Sequence, residues 1–269
     1  MTTLTEYNAS KTREYVDFQV HDGIALVTID RPPVNALNRQ VENEIEAVFD
    51  ELGAISEVGA VIITGGGGKA FVAGADIKAI LEKGPEEAYE MSASTQRILL
   101  KVERFHRVVI AAVNSLALGG GCEIAMACDM RVMDESTIIG LPEVGLGLLP
   151  GAGGTQRLAK LVGIGKAKEL ILTGDPIDAA EAKRIGLVER VAPKGEAVAE
   201  AKKLAKRVLL RGPVAVANAK KAINEGMVLF LEEGLKIETQ LFSDLFKSQD
   251  VKEGISAFLE KRKPSFSGS

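Results

Sequence analysis

The sequence contains few of the side chains that most nucleophilic and metal-dependent enzymes use. Its 269 residues include only two histidines and two cysteines. His21 lies in a predicted hairpin turn and His106 precedes a predicted strand, so a Ser-His-Asp or Cys-His catalytic arrangement is not expected. Cys122 and Cys128 have neither metal-ligand nor disulfide-framework spacing, and we interpret both as free buried thiols in a reducing compartment.

Excess positive charge and long apolar segments are also absent. The formal net charge is −4, whereas binding to nucleic acid or to an anionic membrane would require a basic surface. The longest apolar stretches, such as Val108–Val113, have the length of a strand and not of a membrane span. The N-terminus lacks the apolar segment of a signal peptide, and a strand pattern begins at Tyr15. These observations predict a cytoplasmic protein without membrane association.

What the sequence does contain is the pattern of a soluble α/β protein. Asp22-Gly23 separates the alternating segments Tyr15–Val20 and Ile24–Ile29, which predicts a β-hairpin. Asn38 is placed to cap a helix that ends at Gly53. The wholly apolar run Ala60–Thr64 is typical of a strand in a sheet covered on both faces. The first half therefore predicts an α/β fold.

The second half is mostly helical. The patterns predict a helix from Pro85 to Phe105, a lone strand over Val188–Val191, and a set of C-terminal helices over Ala197–Leu210, Val214–Asn224, Leu229–Phe246 and Val251–Lys261. No low-complexity linker interrupts the chain. We expect an α/β core over residues 1–195 and a helical region over residues 196–269.

Two glycine-rich segments resemble nucleotide-binding loops, but neither contains the complete motif. Gly65–Gly68 precedes Lys69, but a phosphate-binding P-loop needs glycine at position 63 and Ser or Thr at position 70, which are Ile and Ala. Gly151–Gly154 does not complete a dinucleotide fingerprint, because position 156 is Gln. The glycines therefore indicate a different use of the backbone.

Two segments read as passages from a strand into a helix. They are Phe71–Lys78, with a helix expected from Asp76, and Leu118–Glu123. The first N–H groups of a helix are unpaired and carry partial positive charge. If the two junctions face one another, they offer two donors to a single oxygen, which is an oxyanion hole. Each segment taken by itself is also the pattern of an ordinary tight turn.

Two carboxyl groups occur in apolar, glycine-rich surroundings. Glu123 precedes an apolar helix, and Glu143 follows Leu141-Pro142 in a segment punctuated by glycines. Either glutamate alone fits a solvated or capping residue. A pair of partly desolvated carboxyl groups beside an anion-stabilising loop is instead typical of acid–base chemistry near neutral pH.

At these residues the sequence resembles the crotonase, or enoyl-CoA hydratase/isomerase, superfamily. The resemblance extends from Asp30-Arg31-Pro32 to Pro264, and its most specific motifs are Ala73–Lys78, Ala117–Glu123, Pro142-Glu143 and Pro150–Leu158. It implies an α/β fold of the crotonase type, in which a spiral of ββα units forms two sheets. It also implies that the helical C-terminal region assembles trimers, and that two trimers stack into a homohexamer.

The resemblance also implies roles for individual residues. The N–H groups of Ala75 and Gly120 would form the oxyanion hole, Glu123 and Glu143 would be the catalytic glutamates, and the N–H of Gly151 would help to orient water. Glu123 would activate the water and Glu143 would protonate Cα. The residues implied in binding the CoA thioester are Ala73, Ala75, Asp76, Ile77, Lys78 and Gly120.

The activity implied is enoyl-CoA hydratase, which adds water reversibly and on one face across the double bond of a 2-enoyl-CoA, as in fatty acid β-oxidation. No metal or redox cofactor is expected, because CoA is part of the substrate. A 3-enoyl to 2-enoyl-CoA isomerase is the main alternative, but it would need only one base. A non-catalytic RNA-binding relative would need a basic surface. The apolar face of Leu229–Phe246 fits either core burial or packing between subunits.

Overall fold

The protein is described here by a computed structural model that covers residues 13–269 and the backbone of Tyr7–Asn8. The strands are β1 (Tyr7–Asn8), β2 (Val16–His21), β3 (Ile24–Ile29), β4 (Ala60–Gly65), β5 (Ala70–Ala73), β6 (Val108–Val113), β7 (Leu116–Leu118), β8 (Met130–Asp134), β9 (Ile138–Gly140), β10 (Ile177–Asp178) and β11 (Arg190–Ala192). The helices are α1 (Arg39–Ala54), α2 (Ile77–Leu81), α3 (Pro85–Glu103), α4 (Gly120–Ala127), α5 (Gly154–Val162), α6 (Ile164–Thr173), α7 (Ala179–Arg184), α8 (Ala197–Leu209), α9 (Pro213–Gly226), α10 (Leu231–Leu245) and α11 (Gln249–Leu259), with a 3₁₀ turn over Glu143–Leu146.

The strands form two sheets. The larger has the order β1-β2-β3-β4-β6-β8-β11, and all pairs from β3 onward are parallel. The smaller has the order β10-β9-β7-β5, with β5, β7 and β9 parallel. The successive pairs β4/β5, β6/β7 and β8/β9 each give their first strand to the large sheet and their second to the small sheet, and helices follow each pair. This repeating arrangement confirms the predicted spiral of ββα units.

The turn and the helix cap predicted from the sequence of the first half of the chain are present in the structure. Asp22 and Gly23 have φ values of 51° and 74°, as a type I′ hairpin turn requires, and they join β2 to β3. The Asn38 side chain accepts a hydrogen bond from the N–H of Val41 at 2.9 Å and caps α1. Helix α1 continues one residue past the predicted end at Gly53, because the chain leaves the helix only at extended Ile55.

Other boundaries differ from the sequence-based expectations for local reasons. Strand β5 ends at Ala73, because Gly74 has a φ of 76° and turns the chain, and the helix expected from Asp76 begins at Ile77. The lone strand begins at Arg190 rather than Val188, since the N–H of Val188 instead bonds to the carbonyl of Ala182 in α7. Helix α10 begins two residues late, after Phe230 in an extended conformation.

Apolar packing covers both faces of the large sheet. One face packs with the small sheet and helices α1, α3 and α4 in the main core. Helix α8 covers the other face through Ala197, Ala201, Leu204 and Ala205. Helices α9 and α10 pack on each other and contain no buried residue. The division of the chain near residue 195 stays a prediction. Within the part of the chain that the structure describes, no helix is both long enough and apolar enough to cross a membrane.

Candidate active site

The ends of β5 and β7 lie side by side in the small sheet and place two glycine-bearing junctions together. The N–H of Gly74 donates to the carbonyl of Leu118 at 2.7 Å. Ala75 forms a parallel bridge with Leu37, in which Leu37 bonds to the neighbours of Ala75 at 2.8 and 2.9 Å. In such a bridge the N–H of the central residue points away from the paired strand. The N–H of Ala75 therefore remains available to a ligand.

A second free N–H belongs to Gly120, the first residue of α4. The first turn of a helix leaves its N–H groups unpaired, so this donor points out of the helix end. A Cβ atom on Gly120 would lie 4.0 Å from the carbonyl carbon of Gly74, the atom bonded to the nitrogen of Ala75. Gly119, with a φ of 54°, makes the turn that brings the two junctions together. The structure thus juxtaposes the two donors expected from the sequence.

Glu123 lies in the first turn of α4, where it is 3% exposed. Its Oε1 accepts hydrogen bonds from the N–H groups of Ala152 at 2.7 Å and Gly154 at 2.8 Å. A Cβ on Gly154 would lie 2.9 Å from that oxygen, so only glycine lets the backbone approach so closely. Burial raises the pKa of Glu123 to about 7; the two N–H groups and Arg157 oppose that rise, and the charge of Glu143 adds to it.

Glu143 begins the 3₁₀ turn and approaches the site from the other side. Its Oε1 lies 3.0 Å from where a Cβ on Gly119 would stand. Its Oε2 is buried and has no hydrogen-bond partner among the described residues. Burial raises the pKa of this carboxyl group as well. An unpartnered buried oxygen beside the unpaired N–H groups is available to water or to a substrate atom.

Gly151 lies in the loop that supplies the donors to Glu123. Its carbonyl accepts hydrogen bonds from Ser92 and Gln96 on α3. Its N–H makes no hydrogen bond within the described residues, so it is free to contact water, as the resemblance implies. The structure therefore places Gly151 beside Glu123 and leaves its N–H available, and its role in orienting water stays a prediction.

The residues expected to bind the CoA thioester lie around the end of β5. Ala73 and Ala75 are partly buried, and Ile77 and Lys78 on α2 are exposed. Asp76 is held by Arg31, whose Nη2 donates to its carboxylate at 2.8 Å. This hydrogen bond and the positive charge of Arg31 lower the pKa of Asp76. The segment is thus one accessible edge of the site, and Asp76 reaches it already paired.

The sequence did not indicate the residues that hold Glu123 in place. Ala152 and Gly154 donate to it over a separation of about thirty residues, and Ser92 and Gln96 bond to their loop from α3. The only signal in the sequence was the glycine-rich segment Gly151–Gly154. Its glycines allow another group to approach the backbone closely, but they do not indicate that this group is Glu123. Across residues 13–269, no group of three or more His, Cys, Asp and Glu side chains is arranged to hold a metal ion.

Sequence comparison relates this chain to one family of proteins. A sequence model of the family described as enoyl-CoA hydratase/isomerase matches residues 19–269. The short-chain-enoyl-CoA hydratase of Clostridium acetobutylicum is 46% identical over 89% of this chain and 92% of its own length. The crotonyl-CoA hydratase of Syntrophomonas wolfei is 46% identical over 94% of this chain and 98% of its own.

Solved structures agree with the sequence comparison. The crystal structure of an enoyl-CoA hydratase from Bacillus anthracis superposes with a TM-score of 0.91 at 38% identity, over 95% of this chain and all of the other. An enoyl-CoA hydratase structure from Geobacillus kaustophilus gives a TM-score of 0.94 at 36% identity. It covers 98% of this chain and all of the other. The fold is that of the crotonase superfamily. Within it, the chain belongs to the enoyl-CoA hydratase/isomerase family.

Proposed function

We propose that this protein is an enoyl-CoA hydratase that adds water reversibly, on one face, across the double bond of a short-chain 2-enoyl-CoA. The observation that carries the proposal is a pair of carboxyl groups, buried Glu123 and half-buried Glu143, both with raised pKa values, beside two unpaired N–H groups. The names of the two relatives at 46% identity support both the reaction and the short chain.

The two N–H groups would stabilise the negative charge that develops on the thioester oxygen. When water attacks Cβ, electrons move through Cα to that oxygen and form an enolate. In the proposed complex, the N–H groups of Ala75 and Gly120 both donate to this oxygen. Their hydrogen bonds strengthen as the charge grows, so they stabilise the transition state more than the bound substrate.

The two glutamates would carry out the proton transfers. Glu123 is fixed by backbone donors and has a pKa of about 7, so near neutral pH it is poised to take a proton from water. Glu143 has an unpartnered oxygen in the same site, from which a proton can be delivered to Cα on the face that water attacks. The charge of Glu143 adds to the rise in the pKa of Glu123, so the titration of Glu123 depends on the state of Glu143. We assign the base to Glu123 and the acid to Glu143.

The proposed chemistry requires no metal or redox cofactor, because proton transfer and hydrogen bonding to the enolate suffice. The absence of an excess of positive charge in the sequence favours acyl-CoA over nucleic acid as the partner. We further propose a cytoplasmic location and a role in fatty acid β-oxidation.

Hydration and isomerisation should be measured side by side on the wild-type protein. Loss of the enoyl thioester absorbance would follow hydration over a series of 2-enoyl-CoA chain lengths, and conversion of 3-enoyl-CoA would report isomerisation. We expect hydration to dominate and to be fastest for short chains. An enzyme that isomerises 3-enoyl-CoA without hydrating any 2-enoyl-CoA would show that the proposal is wrong.

We also propose that the chain assembles as a hexamer made of two stacked trimers. Helices α9 and α10 and the residues that directly follow them expose nine large apolar side chains, each 48–85% exposed: Ile223, Met227, Val228, Leu229, Phe230, Leu231, Leu235, Phe242 and Phe246. So large an exposed apolar surface marks an interaction site in a soluble protein. Burial in the core was the alternative explanation for the apolar face of Leu229–Phe246, but no residue of α10 is buried within the chain.

Light scattering tests the assembly. The expected mass is six times the 28.6 kDa of the chain. Phe242→Glu places a charge in the apolar surface and should dissociate the assembly, whereas Lys236→Glu adds the same residue to α10 outside that surface and should not. A stable wild-type monomer at micromolar concentration would contradict the proposal.

A further inference from the structure

Two polar side chains of helix α3 hold the loop that holds Glu123. Ser92 Oγ donates to the carbonyl oxygen of Gly151 at 2.6 Å, and Gln96 Nε2 donates to the same oxygen at 2.8 Å. Gln96 Nε2 also lies 3.1 Å from Ser92 Oγ. The two residues are four apart in sequence and share one face of the helix. The acid–base steps proposed above use neither of them.

The oxygen they hold belongs to the peptide group whose N–H binds Glu123. The carbonyl of Gly151 and the N–H of Ala152 are the two ends of one planar trans peptide, and they point in opposite directions. The N–H end donates to Glu123 Oε1 at 2.7 Å. This peptide is therefore fixed at both ends. Hydrogen bonds on its oxygen also polarise the group and strengthen the bond made by its N–H.

We propose that Ser92 and Gln96 are positioning residues for hydration: by fixing the Gly151–Ala152 peptide, they hold Glu123 where it can activate water. This role rests on the proposed function. It places the machinery that aims Glu123 on α3, about thirty residues before Glu123 in the sequence.

A cavity adjoins the carbonyl group of Gly151 that the two side chains hold. A cavity of about 370 Å³ opens between α3 and α5 beside this loop and is lined by Ser92, Gln96, Gly151 and other residues. Water can reach the carbonyl oxygen there and donate to it. The side chains therefore add a fixed direction that a mobile water lacks. For the same reason, removing them leaves no unsatisfied buried group, and the fold should survive.

Charged groups near Glu123 restrict which substitutions are informative. The charge of Glu143 raises the pKa of Glu123, and that of Arg157 lowers it. Arg157 also donates to the carbonyl of Ala152 at 2.9 Å and pairs with Glu103 at 2.7 Å. Replacing Arg157 would change both charge and position. Ser92 and Gln96 are neutral, so their loss acts on Glu123 through the peptide alone.

The test compares Ser92→Ala, Gln96→Met and the double variant with Ser94→Ala. Ser94 lies on the same helix but bonds to Arg39, away from the loop. Infrared titration of protein carrying ¹³C-labelled glutamate follows the carboxyl band of Glu123, which is identified by its loss in Glu123→Gln. A weaker N–H bond stabilises the carboxylate less, so the titration should move to higher pH in the test variants and stay in place in Ser94→Ala.

Turnover provides the second measurement. Each single substitution should lower kcat about two- to tenfold, the worth of one hydrogen bond expressed as a rate, with KM nearly unchanged because no group that touches CoA is altered. An unshifted titration or an undiminished kcat in the double variant would overturn the positioning role. A wild-type protein without hydratase activity would instead overturn the proposed function, and the titration would still decide whether Ser92 and Gln96 act on Glu123.

Discussion

The two glutamates of the site are held in opposite ways. Glu123 lies in the first turn of a buried helix, and one of its oxygens is fixed by the N–H groups of Ala152 and Gly154. Glu143 begins a short 3₁₀ turn in a segment whose residues 145–149 are exposed, and its buried Oε2 has no partner among the described residues. Glu123 is therefore held in a fixed position, whereas one carboxyl oxygen of Glu143 makes no hydrogen bond within the described residues.

The proposed mechanism makes different demands on the two glutamates. A base that must aim at one water gains from a fixed position, because misplacement weakens proton transfer. A group that delivers a proton to carbon has to keep an oxygen free until the substrate arrives. Burial raises the pKa of both carboxyl groups, and the N–H groups of Ala152 and Gly154 additionally fix the position of Glu123.

The largest expected effect on turnover comes from replacing the glutamates themselves, because the proposed mechanism needs both. Glu123→Gln and Glu143→Gln should each lower turnover by about 10²–10⁴-fold, the usual worth of a positioned acid or base. The double variant should lose far less than the product of the two, because both groups act on one water. Steady-state hydration of a short 2-enoyl-CoA measures all three. A single variant that retains more than about a tenth of wild-type turnover would contradict the two-carboxylate mechanism.

A pair of substitutions at Gly120 tests whether its N–H is an oxyanion donor. Gly120→Pro removes the N–H at the first position of α4, where proline fits the helix, and should cost about 10²–10³ in turnover. Gly120→Ala is the matched control, because its Cβ meets the same Leu37 Cδ1 at 2.7 Å but the N–H remains. Equal turnover in the two variants, with folding checked by circular dichroism, would show that this N–H is not a donor.

The hydrogen bonds that Ala152 and Gly154 donate to Glu123 can be disturbed without replacing Glu123 itself. A Cβ in Gly154→Ala would lie 2.8 Å from Pro150 Cβ and 2.9 Å from Glu123 Oε1. We expect turnover to fall by about 10–10², as for a small misplacement of a catalytic group. Gly145→Ala, in the segment that carries Glu143, meets nothing within 4 Å and should stay within about twofold of wild type. If both variants retained wild-type turnover, precise placement of Glu123 would not matter.

The pH dependence gives the smallest and most specific effect. Glu123 must be ionised to accept a proton, and its pKa is about 7, so kcat/KM should fall about tenfold for each pH unit below that value. In the fraction of the enzyme in which Glu143 is ionised, its charge raises the pKa of Glu123, and Glu143→Gln removes that charge. The acid limb of the remaining activity should therefore move to lower pH. A limb that stayed in place would show that the two carboxyl groups do not interact.

Much of the architecture was readable from the sequence because its signals are local. The Asp22-Gly23 turn, the cap at Asn38 and the apolar strands each depend on residues a few positions apart, and the structure contains all three. Motifs around Glu123 and Glu143 likewise placed both carboxyl groups in one site. Exact ends were less accurate where the cause lay in the backbone, as at Gly74, or in a distant partner, as for Val188 and the carbonyl of Ala182.

Tertiary structure alone decided how the site is assembled. Strands β5 and β7 are neighbours in the small sheet only because each ββα unit sends its second strand there, and periodicity within one strand carries no information about that pairing. The contacts of Glu123 with Ala152 and Gly154, and of Ser92 and Gln96 with Gly151, join segments about thirty to sixty residues apart. The sequence by itself determined which groups could do the chemistry. Which of them are fixed and which are left free depends on contacts that exist only once the chain has folded.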